Sequence, residues 1–402
     1  MPGARRWLIT AFLATLLGGL IAILHNGSGS GPALGTLLDP ADGLFRTARL
    51  TASDVLLAHV GLPGTVDSVH VYFDARGVPH IFAEDEFDAI RALGYVMARD
   101  RLFQLDFIPR VAAGRLSELI GEAALDADRF LRRTGMEDGA RLNAARIERE
   151  KGVEKATVDA FCAGVNGYLD SLAARDLPLE FRLLGGRPQR CNTLQVMRVL
   201  AYMTLDLTYR SDEAVYGTLQ QRLGPDDYTS LYPKHTPSSL YVPVVHDDAP
   251  VSSSITGMAN PAGVELISEI NNLLAPAGLL LAEGFRSGKG SNNWAVSAKR
   301  SETAAPILAG DMHLALTLPA IWYEVHLVTP EMNTYGVAIP GAPLPVEAFN
   351  DYLGWTFTNT GADQIDHYAL ELDSSRTRYR FNGRWREKRA PGSQEGLHES
   401  VR

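Results

Sequence analysis

The sequence predicts an α+β fold, and three observations predict it. Helical patterns recur after Asp85, over Val158–Leu172 and from Thr193 to Leu223, short strand patterns dominate after residue 290, and a linker-like stretch lies between. A chain of 402 residues is long enough for a large core or two domains. The net charge of −9 argues against a nucleic-acid footprint. No segment is low-complexity, and no repeat recurs at solenoid periods. Two cysteines, Cys162 and Cys191, exclude a disulfide framework and a cysteine zinc site. They either pair once in an oxidising compartment or remain two small buried thiols.

The elements follow in order. Arg5-Arg6, an apolar run from Trp7 to Leu24 and a Gly/Ser spacer make residues 1–30 an export signal or an uncleaved anchor. The body is then expected outside the cytoplasmic membrane, in the periplasm, touching the membrane only through this segment. Residues 34–65 read as an irregular lead-in with one short helical stretch. Val69–Phe73 and Pro79–Ala83 flank a turn and predict a hairpin. Asp85 is placed to cap a helix with Phe87, Ile90, Leu93, Gly94 and Met97 on one face. The Arg and Asp residues alternating from Arg99 to Asp106, and those around Arg115-Leu116-Ser117-Glu118, read as structural ion pairs rather than catalytic groups. Val158–Leu172 is a second amphipathic helix, and Thr193 to Leu223 is helical with a break near Tyr209–Asp212. Residues 246–290 read as linker, a length that is unusual without a purpose. Strands are expected at Trp294–Ala298, Pro306–Ala309, Trp322–Val328, Thr334–Ile339, Leu353–Thr358 and Tyr368–Leu372, then a hairpin over Tyr379–Trp385 turning at Asn382-Gly383.

The chemistry concentrates at Gly290-Ser291-Asn292-Asn293-Trp294. Glycine offers an unhindered carbonyl on a permissive backbone. The Ser291 hydroxyl would attack it, shift the peptide to an ester and let water split the chain. Ser291 would then be a new N-terminus, whose α-amine, with a reference pKa of about 7.7–8.0, is a base suited to neutral pH. A nucleophile served by its own terminal amine is an established arrangement. The overlapping stretch Gly284–Ser291 imitates a phosphate loop, but its glycine spacing is wrong and Gly290 replaces the hydroxyl residue after Lys289. No organic cofactor is expected. A Ser-His-Asp hydrolase is also disfavoured, since no Gly-x-Ser-x-Gly elbow precedes a helix.

With Asp311-Met312-His313, Pro340-Gly341-Ala342-Pro343 and Leu353–Asn359 standing downstream in order, the chain resembles the penicillin acylase family of N-terminal-nucleophile hydrolases from about Val69 onward. The resemblance implies an αββα four-layer sandwich, here incomplete, in which a mostly helical α-chain region (31–245) wraps a β-chain beginning at Ser291 (291–402), with 246–290 excised as a spacer. It implies cleavage between Gly290 and Ser291, Ser291 as nucleophile, and His313 beside the terminal amine, where one branch of the family carries glutamine. It implies the Asn359 backbone N–H as a donor to the developing oxyanion. Asn292 is a polar contact to substrate or amine, or a strand-edge residue. Met312 and Leu314, with Trp322 and Pro345, line an acyl pocket or the ordinary core. Glu213, Asp363, Ile365 and Asp366 match the family's calcium ligands.

The expected partners are a small acyl amide and the α and β chains of one precursor, with no nucleic acid. Expected substrates are β-lactam side-chain amides, N-acyl homoserine lactones or other N-acylated amines. Members of the family continue for several hundred residues beyond the nucleophile and carry a second oxyanion donor there. The expectation is therefore a C-terminally truncated chain, poorly folded and without acylase activity alone. The alternative is a non-catalytic exported binding protein that keeps the fold without processing.

Overall fold

The structure, a computed structural model, describes residues 2–26, 59–208, 212–232, 290–359 and 370–388, with isolated positions between 35 and 44. Its contacts divide the chain into two units. The first comprises Met1–Leu207, Glu283–Ala362 and Ala390–Arg402, and the second Thr208–Ala282 and Asp363–Arg389.

The chain begins with α1 (Pro2–Asn26), a helix whose Arg6–Leu24 stretch is apolar and long enough to cross a membrane. The predicted hairpin forms as β1 (His70–Phe73) and β2 (Pro79–Phe82). Next comes α2 (Glu86–Ala112), capped as its sequence predicts: the Asp85 carboxylate accepts from the N–H groups of Phe87 at 2.8 Å and Asp88 at 3.0 Å. It kinks at Arg101, where the backbone leaves helical angles. Four helices follow, α3 (Ser117–Ile120), α4 (Leu125–Arg133), α5 (Met136–Glu150) and α6 (Val153–Ser171). The last starts five residues before the predicted Val158. After α7 (Leu179–Leu184), the predicted helical stretch appears as α8 (Thr193–Thr208) and α9 (Asp212–Leu223). Residues 209–211, where the break is expected, lie outside the described residues. A short α10 (Pro225–Leu231) follows.

The C-terminal half supplies strands. β3 (Gly290–Val296) and β4 (Ile307–His313) form a two-stranded ribbon. β5 (Tyr323–Val328), β6 (Asn333–Ala338), β7 (Glu347–Phe349) and β8 (Gly354–Trp355) join β1 and β2 in a six-stranded sheet of order β1-β2-β5-β6-β7-β8. Only the β2–β5 pair is parallel, with His80 opposite His326, Ile81 opposite Leu327 and Phe82 opposite Val328. β5 alternates as its Tyr-Glu-Val-His-Leu-Val sequence dictates: Tyr323, Val325 and Leu327 are buried, and the residues between are half-exposed. β9 (Arg378–Phe381) and β10 (Arg384–Glu387) form the predicted Asn-Gly hairpin, with Asn382 and Gly383 both at positive φ.

The helical layer packs on one face of the six-stranded sheet. Ile81, Val325, Leu327 and Ala338 share one core with Leu93 and Met97 of α2 and Phe161 of α6. α2 and α6 approach closely at two glycines. A Cβ on Gly94 would stand 2.1 Å from the Phe161 carbonyl oxygen, and one on Gly164 only 1.8 Å from that of Arg91. Cys162 and Cys191 are joined in a disulfide, which resolves the two readings the sequence left open.

Two Arg–Asp pairs of the first unit are largely buried, Arg91 with Asp88 and Arg110 with Asp106, while Arg129–Asp126 and Arg190–Asp170 are exposed. Asp106 accepts from Arg110 Nε at 2.6 Å and from the Gln189 N–H at 2.9 Å, while Arg110 also reaches Glu118 at 2.7 Å. Asp128 accepts from the N–H groups of Leu116 and Ser117. Tyr323 donates to Asp100 at 2.8 Å; burial, and then the Asp100 charge, push its hydroxyl pKa upward.

Several strand boundaries differ from the sequence expectation: β4 runs on to His313 rather than ending at Ala309, and of the strand expected over Tyr368–Leu372 the described residues show only a bridge from Leu372 to Tyr379. β3 begins at Gly290, not Trp294, because its whole length pairs with β4. The strand expected over Leu353–Thr358 is reduced to Gly354-Trp355. Beyond it the chain turns away, since the Thr356 hydroxyl and the Phe357 N–H are both directed to Glu347.

Candidate active site

The ribbon sets the first half of the site. Gly290 stands opposite His313, Ser291 opposite Met312 and Asn292 opposite Asp311. β-Branched and aromatic residues such as Trp294, Val296 and Ile307 suit this pairing. His313 Nε2 lies 2.9 Å from Asp311 Oδ2, so the carboxylate orients the ring. A Cβ on Gly290 would meet His313 Nδ1 at 3.3 Å, which places the ring beside the Gly290–Ser291 peptide.

The loop after β8 supplies the second half. The Asn359 backbone N–H donates to Ser291 Oγ at 3.1 Å. Thr358 Oγ1 lies 2.7 Å from Ser291 Oγ and donates to the Ser291 carbonyl oxygen at 3.1 Å. The Asn359 side chain donates to the Leu207 carbonyl oxygen at the end of α8, which holds the loop from its other side.

The base of this loop is set by Glu347 on β7, which is buried. Its carboxylate accepts from Thr356 Oγ1 at 2.7 Å and from the Phe357 N–H at 3.4 Å. Gly310 on β4 makes room for that pair: a Cβ there would lie 2.1 Å from Thr356 Oγ1 and 3.0 Å from Glu347 Oε2. Two antiparallel hairpins are thus locked at one point, and the residues two and three positions beyond it reach Ser291.

Of the residues singled out from sequence, Ser291, His313 and Asn359 come together at the ribbon's end. Asn292 is exposed on the ribbon. Met312 is half-buried with its sulfur 4.0 Å from Thr356 Oγ1, and Leu314 is half-buried just past β4. Trp322 packs against the cluster of Ile108, Val199, Met203 and Ile339, which Leu207 also touches. In that cluster burial pushes the Tyr202 hydroxyl up to about 12, with Asp206 adding to the shift, so it stays protonated at neutral pH. Glu213 lies in the first turn of α9. Asp363, Ile365 and Asp366 lie outside the described residues, as does the proposed spacer before Gly290. Among the described residues no group of three or more His, Cys, Asp or Glu is arranged to hold a metal ion.

Thr358, Glu347 and Gly310 were not singled out from sequence. The available signals were a carboxylate inside an apolar strand pattern (Val346-Glu347-Ala348-Phe349) and a glycine within a strand.

Residues 68–390 match the penicillin amidase family. Acyl-homoserine lactone acylase QuiP of Pseudomonas aeruginosa is 30% identical over 335 residues, which are 82% of this chain and 37% of that protein. Penicillin acylase 2 proenzyme of Pseudomonas sp. (strain SE83) is 31% identical over 341 residues, 84% of this chain and 42% of that protein. The chain therefore spans well under half the length of these relatives. A solved structure, the thermostable penicillin G acylase from Alcaligenes faecalis in tetragonal form, is 24% identical, and the match covers 45% of this chain and 100% of that one with a TM-score of 0.38.

Proposed function

The chain belongs to the penicillin amidase family, and on that footing we propose that it is the N-terminal part of a self-processing acylase that hydrolyses linear amide bonds. The observation that carries this reading is the Asn359 N–H held 3.1 Å from Ser291 Oγ, with His313 beside the Gly290–Ser291 peptide. Cleavage at that peptide frees the Ser291 amine. The amine then takes the hydroxyl proton as Ser291 Oγ attacks the substrate carbonyl. His313, oriented by Asp311, hydrogen-bonds the amine and keeps it in the state that accepts a proton. The Asn359 N–H, held beside Ser291 Oγ by its loop, would turn its hydrogen bond to the carbonyl oxygen as that atom gains negative charge in the tetrahedral intermediate. An acyl-enzyme on Ser291 follows, and water releases the acid. Met312 and Leu314 are proposed to line the acyl pocket and Asn292 to contact the substrate's polar end.

Penicillin-type and N-acyl homoserine lactone amides are the proposed substrate classes, from the names of the relatives. The four-layer sandwich, the α/β heterodimer and an extracytoplasmic location directed by α1 belong to the same proposal. So does Ca2+, on donor chemistry: Glu213, Asp363 and Asp366 would bring carboxylates and Ile365 a backbone carbonyl, hard oxygen donors suited to that ion. Adding calcium should raise the thermal unfolding temperature of the wild-type chain and leave that of Asp363→Asn/Asp366→Asn unchanged; equal shifts would remove the metal from the scheme.

Intact-mass measurement tests the central step. The groups proposed to cut the Gly290–Ser291 peptide all lie within this chain, so the wild type should yield a fragment that begins at Ser291 even where it hydrolyses no added amide, Ser291→Ala should stay whole, and Ser291→Cys should still cleave. A Ser291→Ala chain that is cut at the same bond would sink the reading.

A further inference from the structure

The hydrogen-bond directions around Ser291 fix more than its proposed role as a nucleophile. Thr358 Oγ1 makes two contacts with Ser291, 2.7 Å to Oγ and 3.1 Å to the carbonyl oxygen. A carbonyl oxygen only accepts, so the single Thr358 hydroxyl proton is committed to it. The 2.7 Å contact must then be the Ser291 O–H donating to Thr358 Oγ1. The Asn359 N–H donates to Ser291 Oγ at 3.1 Å, so it occupies a lone pair of that oxygen. One arrangement of protons satisfies all three contacts, and it leaves Ser291 Oγ held by two neighbouring groups of one loop.

We propose that Thr358 is a further catalytic residue of this site: its hydroxyl receives the Ser291 O–H and holds the nucleophile in its attacking rotamer. This rests on the reading of Ser291 given above and adds a group to it. In self-cleavage the Ser291 Oγ–Gly290 C bond forms, the Gly290 C–Ser291 N bond breaks, and the Oγ proton ends on the departing nitrogen. Water then splits the ester to a Gly290 carboxylate and a free Ser291. Thr358 neither gains nor loses a proton overall. It accepts the hydrogen bond of the departing proton until the nitrogen takes that proton, and it restricts the rotation of the Ser291 side chain. A hydroxyl free to rotate would populate the reactive geometry for only part of the time.

Thr358 is itself well placed to do this. The hydroxyl of Thr356, two positions earlier, is tied to the buried Glu347, and the Asn359 side chain is tied to Leu207. The segment between them has little freedom to withdraw from the ribbon.

The test compares Thr358→Ser with Thr358→Ala in the 402-residue chain. Both lack the methyl group, and they differ by one oxygen. Self-cleavage is followed by intact mass, with thermal unfolding recorded for each. Thr358→Ser should cleave at a rate within about threefold of wild type, and Thr358→Ala about 10- to 100-fold more slowly, at matched unfolding temperatures. Thr358→Val, which keeps the shape and loses the hydroxyl, should fall with Thr358→Ala. Equal rates for Thr358→Ser and Thr358→Ala would overturn the proposal while leaving Ser291 in its role. A wild-type chain that never cleaves would remove the premise, and the inference with it.

Discussion

Gly310 has room for a hydrogen and nothing larger. Any side chain there drives into the Thr356 hydroxyl at 2.1 Å, and Thr356 cannot yield without leaving Glu347. The buried carboxylate and the Thr356 hydroxyl would each lose a partner, an expensive outcome away from water. Gly310→Ala should therefore cost about 1–3 kcal/mol of stability by overpacking. It should also slow cleavage at Gly290–Ser291 well beyond what that loss explains, since the Asn359 N–H moves with the loop. Urea denaturation and an intact-mass time course check the two parts, and cleavage at the wild-type rate would show that the loop does not depend on this lock. The contrast with Ser291 shows what the sequence made legible at this scale. Gly290-Ser291 and Asn359 sit in local patterns that can be recognised in one dimension. Glu347 and Thr356 are nine residues apart and meet only because a hairpin turns at Asn350, whose side chain accepts from the N–H groups of Tyr352 and Leu353, both at 2.9 Å. No periodicity in the sequence announces that meeting.

At the scale of the element, the helices α2 and α6 were read from their apolar stripes, and the Asp85 cap from its place before Glu86. The helices α4 and α5 escaped because they bury a thin line of mostly small residues, Ala127, Leu131, Ala140, Ala144 and Ile147, within a charged sequence. The α2–α6 contact is closer than hydrophobic pattern alone requires, and two glycines make it possible. A Cβ on Gly164 would meet the Arg91 carbonyl oxygen at 1.8 Å and the Tyr95 nitrogen at 2.8 Å. These are backbone atoms of a facing helix, so relief requires the helices to separate, and Phe161 and Leu93, both fully buried, would lose packing with them. Gly164→Ala is expected to destabilise the fold by about 3 kcal/mol or more. Chemical denaturation gives this directly from the shift in midpoint. A change below about 1 kcal/mol, within the range of a tolerated swap, would mean that the two helices are not held at this distance.

For the molecule as a whole, the six-stranded sheet does not respect the bond that the chain is proposed to cut. β1 and β2 precede Gly290, and β5 to β8 follow it, so the parallel β2–β5 pair crosses between the two products. The crossing is well populated with contacts. Tyr323, Val325, Leu327 and Ala338 from the later piece lie in one core with Ile81, Leu93, Met97 and Phe161 from the earlier one. Burial of each large apolar side chain in that set contributes about 1.5–3 kcal/mol. The Ala83 N–H donates to the Val328 carbonyl oxygen at 3.0 Å, His80 and His326 meet through their Nδ1 atoms at 3.0 Å, and Tyr323 reaches Asp100. The Arg76–Glu324 pair also spans the two pieces, but Arg76 is well exposed and an ion pair in water adds little. The Cys162–Cys191 disulfide lies wholly before the cut and cannot hold the pieces together. Their union must therefore come from the shared sheet and core. After cleavage the two fragments should elute as one species in native buffer and separate only in denaturant. Val325→Asp, which places a carboxylate among those buried side chains, should make them elute apart. Two separate peaks from the cleaved wild-type protein would show that the β2–β5 pairing does not outlast the covalent link.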